Sequence, residues 1–390
     1  MPPQIVLKSR EEERLVRGHP WVYANEILHD PRGLQPGTLV DVVTASGRFV
    51  GRGYHNHRST IRVRLLTTAD VPIDEAFFRR RVRSAWALRE RVGLTSSCRA
   101  VFGEADLLPG LVVDKFGDYL SVQFLTAGID ARRELLVPLL QEVLSPAGIY
   151  ERDDIPVRKK EGLPLRKGYL TVPFDPLVRI VEHGLPFLVD LAAGNKTGHF
   201  LDQRENRAVA SIHAAGRTVL DVFCHTGGFG LHALAAGATR VDAIDASAEA
   251  LDALRRNAEL QGVADRITTT VGNAFDALRA IDRDGHRYGL VILDPPAFAK
   301  GRSSVPGALR GYKEINLRAL RIVEPGGVLV TCSCSHAVTS ESFLGVLADA
   351  AGDARRTVRI LEIRGQPPDH PILVGYEESR YLKCVIAIVE

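Results

Sequence analysis

Cysteine is scarce in this 390-residue chain, and the five present (Cys98, Cys224, Cys332, Cys334 and Cys384) form an odd set without framework spacing. No Cys or His pairs stand at zinc-site spacing across two halves, so a disulfide scaffold and structural zinc are both poor fits. No run approaches the roughly 18 consecutive apolar residues that a membrane-spanning helix needs. The opening MPPQIVLKSREEERL is charged where a secretory signal would be apolar, so a cytoplasmic protein with no membrane partner is expected. A large charge excess is missing too, the net being +3, and neither internal repeats nor low-complexity tracts occur. Lysine is rare beside arginine, 9 against 41, a bias that supplies planar forks suited to phosphate but does not by itself establish nucleic-acid binding.

What is present is ordinary soluble-protein composition, 45% apolar and 25% charged. At about 150 residues per domain the length calls for two or three domains. Residues 1–70 carry 10 Lys+Arg against 7 Asp+Glu, whereas residues 176–390 carry 24 against 25, so the basic excess is N-terminal. Residues 1–68 read as short strands between turns (37–43, 47–55, 60–66), which suggests a small Greek-key-like β barrel. From Asp74 to Val92 a helical pattern sets Phe77, Val82, Trp86 and Leu88 among arginines that include Arg79, Arg83, Arg89 and Arg91. A solvated arginine face is the favoured reading there, ahead of RNA contact. Residues 69–175 form a mixed α+β segment, with a hairpin around Gly117-Asp118 and a helix in ARRELLVPLLQEVL. Residues 176–390 repeat strand then amphipathic helix five times, the pattern of a parallel sheet covered on both faces.

Strand VLDVF (219–223) runs into Cys224-His225-Thr226-Gly227-Gly228-Phe229-Gly230 and a helix. Such a turn lets a ligand approach the backbone at a sheet's carboxyl edge. Asp221 ends the strand, and Asp245 closes the next one 24 residues later, where a carboxylate can accept hydrogen bonds from ribose hydroxyls. The glycines are misplaced for G-x-G-x-x-G, which disfavours a nicotinamide cofactor. The arrangement resembles class I S-adenosylmethionine-dependent methyltransferases. The resemblance implies that Asp221 meets the methionine part, that Gly227 and Gly228 pass beneath it, and that Asp245 holds the ribose. Asn273-Ala274-Phe275 stands where that family usually places an acidic residue against the adenine amino group, a hydrogen bond Asn can still accept through its carbonyl oxygen.

Two further motifs bear on chemistry. Asp294-Pro295-Pro296-Ala297-Phe298 follows strand LVILD; its prolines fix an extended turn that can set carbonyls and an aromatic ring against a planar base. Strand VLV leads into Thr331-Cys332-Ser333-Cys334-Ser335-His336. Carbon 5 of cytosine is a poor nucleophile until a thiolate adds to carbon 6, and a cysteine at a strand end suits that task. The bland alternative is a small buried thiol. Cys334 lies nearer the carboxyl edge and is the candidate nucleophile, while Cys332, Cys224 and His225 read as structural.

With these motifs in place the chain resembles, over essentially its whole length, the RlmI-type family of bacterial 23S ribosomal RNA 5-methylcytosine methyltransferases. Its markers are Gly18-His19-Pro20-Trp21-Val22, Gly103-Glu104-Ala105-Asp106, Leu108-Pro109-Gly110-Leu111, Glu161-Gly162-Leu163 and the segment from Lys196 through Thr197-Gly198-His199-Phe200-Leu201-Asp202-Gln203 to Arg204. The resemblance implies an α/β protein: a PUA-like RNA-binding β barrel at 1–68, a middle α+β domain at 69–175 and a Rossmann-like class I methyltransferase domain at 176–390. It implies Cys334 and Asp294 as catalytic residues. It implies S-adenosylmethionine held by Phe200, Gln203, Arg204, Asp221, Phe223, Thr226, Gly227, Gly228, Asp245, Ala246, Asn273, Ala274, Phe275 and Asp294. No metal is expected. The implied partner is 23S ribosomal RNA or a large-subunit precursor, with a homodimer left open. Two positions depart from pattern: His199 replaces an apolar residue, and Ala297 stands where the related NSUN-type enzymes carry a second cysteine. Two competing readings keep their place: nitrogen methylation of adenine or guanine without a covalent step, and an RNA-binding assembly factor with a vestigial cofactor fold.

Overall fold

The computed structural model describes residues 2–194, 197–299 and 301–390; Lys196, the first residue of the 196–204 marker, lies outside them. The chain divides into two compact units, one of residues 1–180, 189–201 and 368–379, the other of 181–188, 202–367 and 380–390.

The second unit is built on seven strands: β1 (Thr218–Val222), β2 (Arg240–Asp245), β3 (Ile267–Val271), β4 (Tyr288–Leu293), β5 (Val323–Ser333), β6 (Val358–Arg364) and β7 (Lys383–Val389). Their order in the sheet is β3-β2-β1-β4-β5-β7-β6. The first five run parallel, and β7 lies antiparallel to both β5 and β6. Every residue of β4 is buried, the continuous apolar run expected of a strand covered on both faces. Helices α1 (Arg204–Ser211), α2 (Gly228–Ala235), α3 (Ala248–Leu260), α4 (Ala274–Asp284), α5 (Val305–Ile322) and α6 (Ser340–Ala354) supply the cover. Strand order reverses between β1 and β4, which opens a crevice at their carboxyl ends. Ser247, Asn273 and Thr339 start α3, α4 and α6 by accepting backbone N–H bonds through their side chains. The core packed beneath the crevice includes Leu220, Leu293, Tyr312, Leu329 and Phe343.

The first unit holds two sheets and two cores. In the N-terminal sheet the strands are ordered 21–23, 61–67, 49–55, 39–43, 4–7 and 27–29. Only the pairing of Gln4–Val6 with Asp41–Val43 is parallel. The second sheet runs 166–169, 148–153, 119–124, 111–116 and 97–102, and the expected hairpin turns at Gly117, φ +59°. Helix Glu75–Arg91 packs on this sheet and on helix Arg133–Leu144 through Phe77, Phe78, Val82 and Ala85.

The marker motifs of this unit meet in one buried network. Glu161 accepts from Asn56 Nδ2 (2.9 Å), Ser59 Oγ (2.8 Å) and Arg64 Nη2 (3.1 Å). Arg64 Nη1 reaches Glu104 at 2.7 Å, and Trp21 Nε1 donates to the same carboxylate at 2.8 Å. Tyr376, from the returning segment 368–379, packs edge-on against Trp21 with ring centroids 4.9 Å apart.

One expectation needs correction. Arg89 does not belong to a solvated face: it is fully buried. Its fork grips Asp106 at 2.6 and 2.7 Å, and its remaining N–H groups meet the carbonyls of Ala85, Arg99 and Asp369. The helical period turned Arg89 inward with Ala85 and Val82, and a bidentate carboxylate made that burial tolerable. Replacing Asp106 with Ala leaves the guanidinium without its counter-charge, and we expect a loss of about 3–5 kcal/mol, read as a lowered urea midpoint for the first unit.

Candidate active site

The loop after β1 is shaped by backbone conformations that side chains normally avoid. Phe223, His225 and Gly227 all have positive φ, at +63°, +51° and +85°. Strain of this kind persists where the surroundings over-determine it and gathers at functional sites. At Gly227 a Cβ would lie 2.7 Å from Leu254 Cγ, and at Gly228 it would run into the Arg207 guanidinium, itself anchored on Glu182 at 2.9 Å. Both positions are therefore restricted to glycine by the protein's own packing, which leaves this stretch of the loop as bare backbone.

Asp221 sits beneath it, 1% exposed. Its Oδ2 accepts from Gly230 N at 2.8 Å, while its buried Oδ1 has no hydrogen-bond partner. Burial pushes this carboxyl up to about 7; the Gly230 amide and Arg207 pull against that, and the charges of Asp294 and Asp245 add to it. A buried acid with an unpaired oxygen, beside two further acids, suits a cationic ligand. Asp245 is fixed by His225 N and Ser247 N, each at 2.9 Å. The Thr226 carbonyl is tied to Asn257 Nδ2 at 3.3 Å. Ala246 is exposed at the mouth, and Ala274 is buried at the start of α4. The Asn273 carbonyl oxygen caps α4, accepting from Phe275 N (2.9 Å) and Asp276 N (3.4 Å), so the oxygen expected to meet an adenine amino group is already engaged by the helix.

The two chemistry-bearing motifs converge. β4 and β5 pair in parallel with Leu293 opposite Thr331, which brings Asp294 and the Cys332–Ser335 stretch to adjacent strand ends. Cys334 Sγ lies 3.8 Å from the Pro295 carbonyl, and Ala299 N donates to Ser335 Oγ at 3.1 Å. Tyr312 of α5 is wholly buried; its hydroxyl bridges Ser333 Oγ (2.9 Å) and Ser335 Oγ (3.0 Å). It clamps the residues on either side of Cys334. Cys334 is half-buried, whereas Cys332 is fully buried opposite Cys384 in the β5–β7 ladder, its thiol pushed well up by desolvation. Cys224 is likewise buried, with its thiol raised by the same cause.

Asp294 is oriented by a relay. Arg364 Nε donates to Asn206 Oδ1 (3.1 Å), Asn206 Nδ2 to Gln203 Oε1 (2.7 Å), and Gln203 Nε2 to Asp294 Oδ1 (2.8 Å). Gln203 thus joins the site, and Arg204 is buried beside Glu205 at 3.1 Å. Phe200 is half-buried in the first unit, on residues 197–201. A row of rings, Phe223–Phe298 (6.4 Å), Phe275–Phe298 (5.9 Å) and Phe298–Tyr312 (4.7 Å), leads from partly buried positions near the strand ends into the core at Tyr312. Sequence reasoning missed Asn206 and Arg364, and also Lys383, whose Nζ donates to the Ser335 carbonyl at 2.7 Å. No local motif marks them. Among the described residues no cluster of His, Cys, Asp or Glu could hold a metal, and no helix is long and apolar enough to cross a membrane.

Comparison with known proteins bears on the family and the fold. Residues 171–378 match the model of an S-adenosylmethionine-dependent methyltransferase, and residues 5–68 that of a PUA-like domain. Ribosomal RNA large subunit methyltransferase I of Shewanella amazonensis is 42% identical over 396 residues, covering 99% of this chain and 99% of its own. Its counterpart in Klebsiella pneumoniae (strain 342) is 39% identical over 388 residues, covering 98% and 97%. The crystal structure of SMU.776, designated a methyltransferase and complexed with SAH, superposes with a TM-score of 0.86 at 22% identity, over 99% of this chain and 100% of that one; at this identity the likeness is one of fold.

S-adenosylmethionine carries a cationic sulfonium and an ammonium group, so a cofactor bound against Asp221 would favour its ionised form. Below pH 7 the empty site holds this carboxyl protonated, and binding must displace the proton. Affinity for S-adenosylmethionine is expected to weaken by about tenfold per pH unit on going down from pH 7 and to level off above it. Calorimetric titrations between pH 5.5 and 8.5 test this, with Asp221→Asn binding weakly and without that slope.

Proposed function

Because the chain belongs to the ribosomal RNA large subunit methyltransferase I family, we propose that it methylates carbon 5 of a cytosine in 23S ribosomal RNA through a covalent bond from Cys334 to carbon 6. The observation that carries the reading is the meeting of Cys334 with the Asp294-Pro295-Pro296 turn, Sγ 3.8 Å from the Pro295 carbonyl. S-adenosylmethionine, when bound, supplies an electrophilic methyl group. Asp221, Asp245 and the bare Gly227-Gly228 backbone hold it, and Asp294 faces the base with its carboxylate fixed by Gln203 at 2.8 Å.

In this mechanism the Cys334 thiolate forms the Sγ–carbon 6 bond, and the displaced π pair makes carbon 5 nucleophilic. Asp294 hydrogen-bonds the ring nitrogen or amino group and so fixes which edge of the base enters. After methyl transfer a base removes the carbon 5 proton; the pair left behind rebuilds the carbon 5–carbon 6 double bond and expels Sγ as thiolate. Ala297 offers no second thiol after the prolines, so release proceeds without one. A stacked cytosine hides carbon 6, so the target nucleotide is single-stranded or flipped out. The aromatic row at Phe298 gives such a base a surface to lie on.

The PUA-like segment 1–68, within the three-part division at 68/69 and 175/176, would hold the RNA by shape and phosphate contacts. We assign the enzyme to the cytoplasm and its substrate to 23S RNA or a large-subunit precursor.

The test is incubation of the protein and S-adenosylmethionine with ribosomal RNA containing 5-fluorocytidine, followed by a denaturing gel. Fluorine cannot leave as a proton does, so a slow-migrating adduct is expected with the wild type and none with Cys334→Ala. Methyl transfer to ordinary RNA that survives Cys334→Ala would reject the covalent route in favour of nitrogen methylation.

A further inference from the structure

Lys383 is one of only nine lysines, and it is 5% exposed. Its Nζ donates to the carbonyls of Ser335 (2.7 Å) and Tyr381 (2.8 Å). Two carbonyls satisfy two of the three N–H groups of an ammonium, but they neutralise no charge. A buried cation held in this way calls for an anion nearby. The antiparallel ladder of β5 and β7 sets Lys383 directly opposite Ser333, and Cys334 lies between Ser333 and Ser335. The ammonium is therefore fixed on the carbonyl of the residue that follows the candidate nucleophile, while the backbone of Lys383 is paired with the residue before it.

The charges around the pair show why a cation is useful there. Asp294 stands on the adjacent strand end and opposes any second negative charge. The Tyr312 hydroxyl comes from α5, and His336 follows along the chain with its ring 5.4 Å from that of Tyr381. Arg380 is the other cation near Lys383, but it is exposed and screened by solvent. Burial lowers the Lys383 ammonium to about 8, the Cys334 thiolate raises it, and Arg380 lowers it further. Coupling between two charges is reciprocal, so whatever a Cys334 thiolate does for the ammonium the ammonium does for the thiolate.

We propose that Lys383 is the positioning residue that holds Cys334 as a thiolate, its ammonium held by the carbonyls of Tyr381 and of Ser335, the residue next to that cysteine. The inference rests on the covalent reading above. Cys334 loses its proton to solvent and Lys383 keeps all three of its own. As the sulfur–carbon 6 bond forms, the negative charge moves from sulfur onto the ring, and it returns to sulfur on elimination. No bond to Lys383 is made or broken.

The experiment follows the rate of Cys334 alkylation by iodoacetamide against pH in the full chain, by peptide mass spectrometry; the other four cysteines are buried. The wild-type inflection is expected about one unit or more below the ordinary thiol value of roughly 8.5. Lys383→Met should move it up by about a unit, slowing alkylation at pH 7 on the order of tenfold, and Lys383→Arg should restore most of the depression. A wild-type inflection at or above the ordinary value, or superimposable wild-type and Lys383→Met profiles, overturns the proposal. Should the Lys383 variants not fold, trace acetylation of Lys383 decides. Cys334→Ala should let Nζ lose its proton at lower pH, and an unchanged profile overturns the pairing. Neither measurement involves methyl transfer. A failed 5-fluorocytidine trap with the coupling intact would remove the covalent reading alone.

Discussion

The reactive centre depends on the register of three neighbouring strands. β4 pairs with β5 so that Leu293 meets Thr331, and β5 pairs with β7 so that Ser333 meets Lys383. Those two ladders bring together Asp294, Cys334 and Lys383 from three distant stretches of chain. A slip of one residue in either ladder would turn every side chain of the strand to the opposite face. Register is secured by apolar burial: every residue of β4 is buried, and Val328, Leu329 and Val330 of β5 face Ile388, Ala387 and Ile386 of β7. The hydrophobic core thus shapes the candidate site by leaving one alignment of the strand ends. Tyr312 then restricts the Cys334 turn locally by bonding the serine on each side of it.

A second theme is concentrated negative charge. Asp221, Asp245 and Asp294 end or follow neighbouring strands, and their mutual repulsion adds to the desolvation that raises Asp221. Such an arrangement is unfavourable while the site is empty. Backbone amides offset part of the cost, with His225 and Ser247 fixing Asp245 and Gly230 fixing one oxygen of Asp221. A cationic ligand would relieve the rest, which is why binding and protonation of Asp221 are expected to be linked. On the other side of Asp294, the buried Lys383 supplies the opposite sign where a thiolate would form. On the proposed reading carboxylates would select the cofactor, and a lysine would prepare the nucleophile.

In the first unit the marker residues have a packing explanation. Glu161 and Glu104 are bound by Arg64, Asn56, Ser59 and Trp21 across the seam between the two sheets. A buried network of this kind is tolerable only when its members are paired, so substitution of one strands the others. The motifs therefore record how that unit is held together.

Much of this protein was legible in one dimension. Alternating apolar strands and amphipathic helices after residue 176 announced a covered parallel sheet, because the helix and strand periods are properties of local sequence. The glycine turn after Asp221, the carboxylate at the end of the next strand and the Asp-Pro-Pro turn after β4 could all be read the same way, since each motif carries its own backbone constraint. Other features were decided only by tertiary structure. Arg89 looked solvated because nothing local announces that Asp106 will meet it, and Asn273 looked free to serve adenine because its capping bond forms only once α4 starts there. Asn206, Arg364 and Lys383 were invisible, being defined by partners far along the chain. A sequence states which groups are available and what each backbone segment prefers. Which groups share a low-dielectric space, and so change one another's charge, is settled only when the strands take their register.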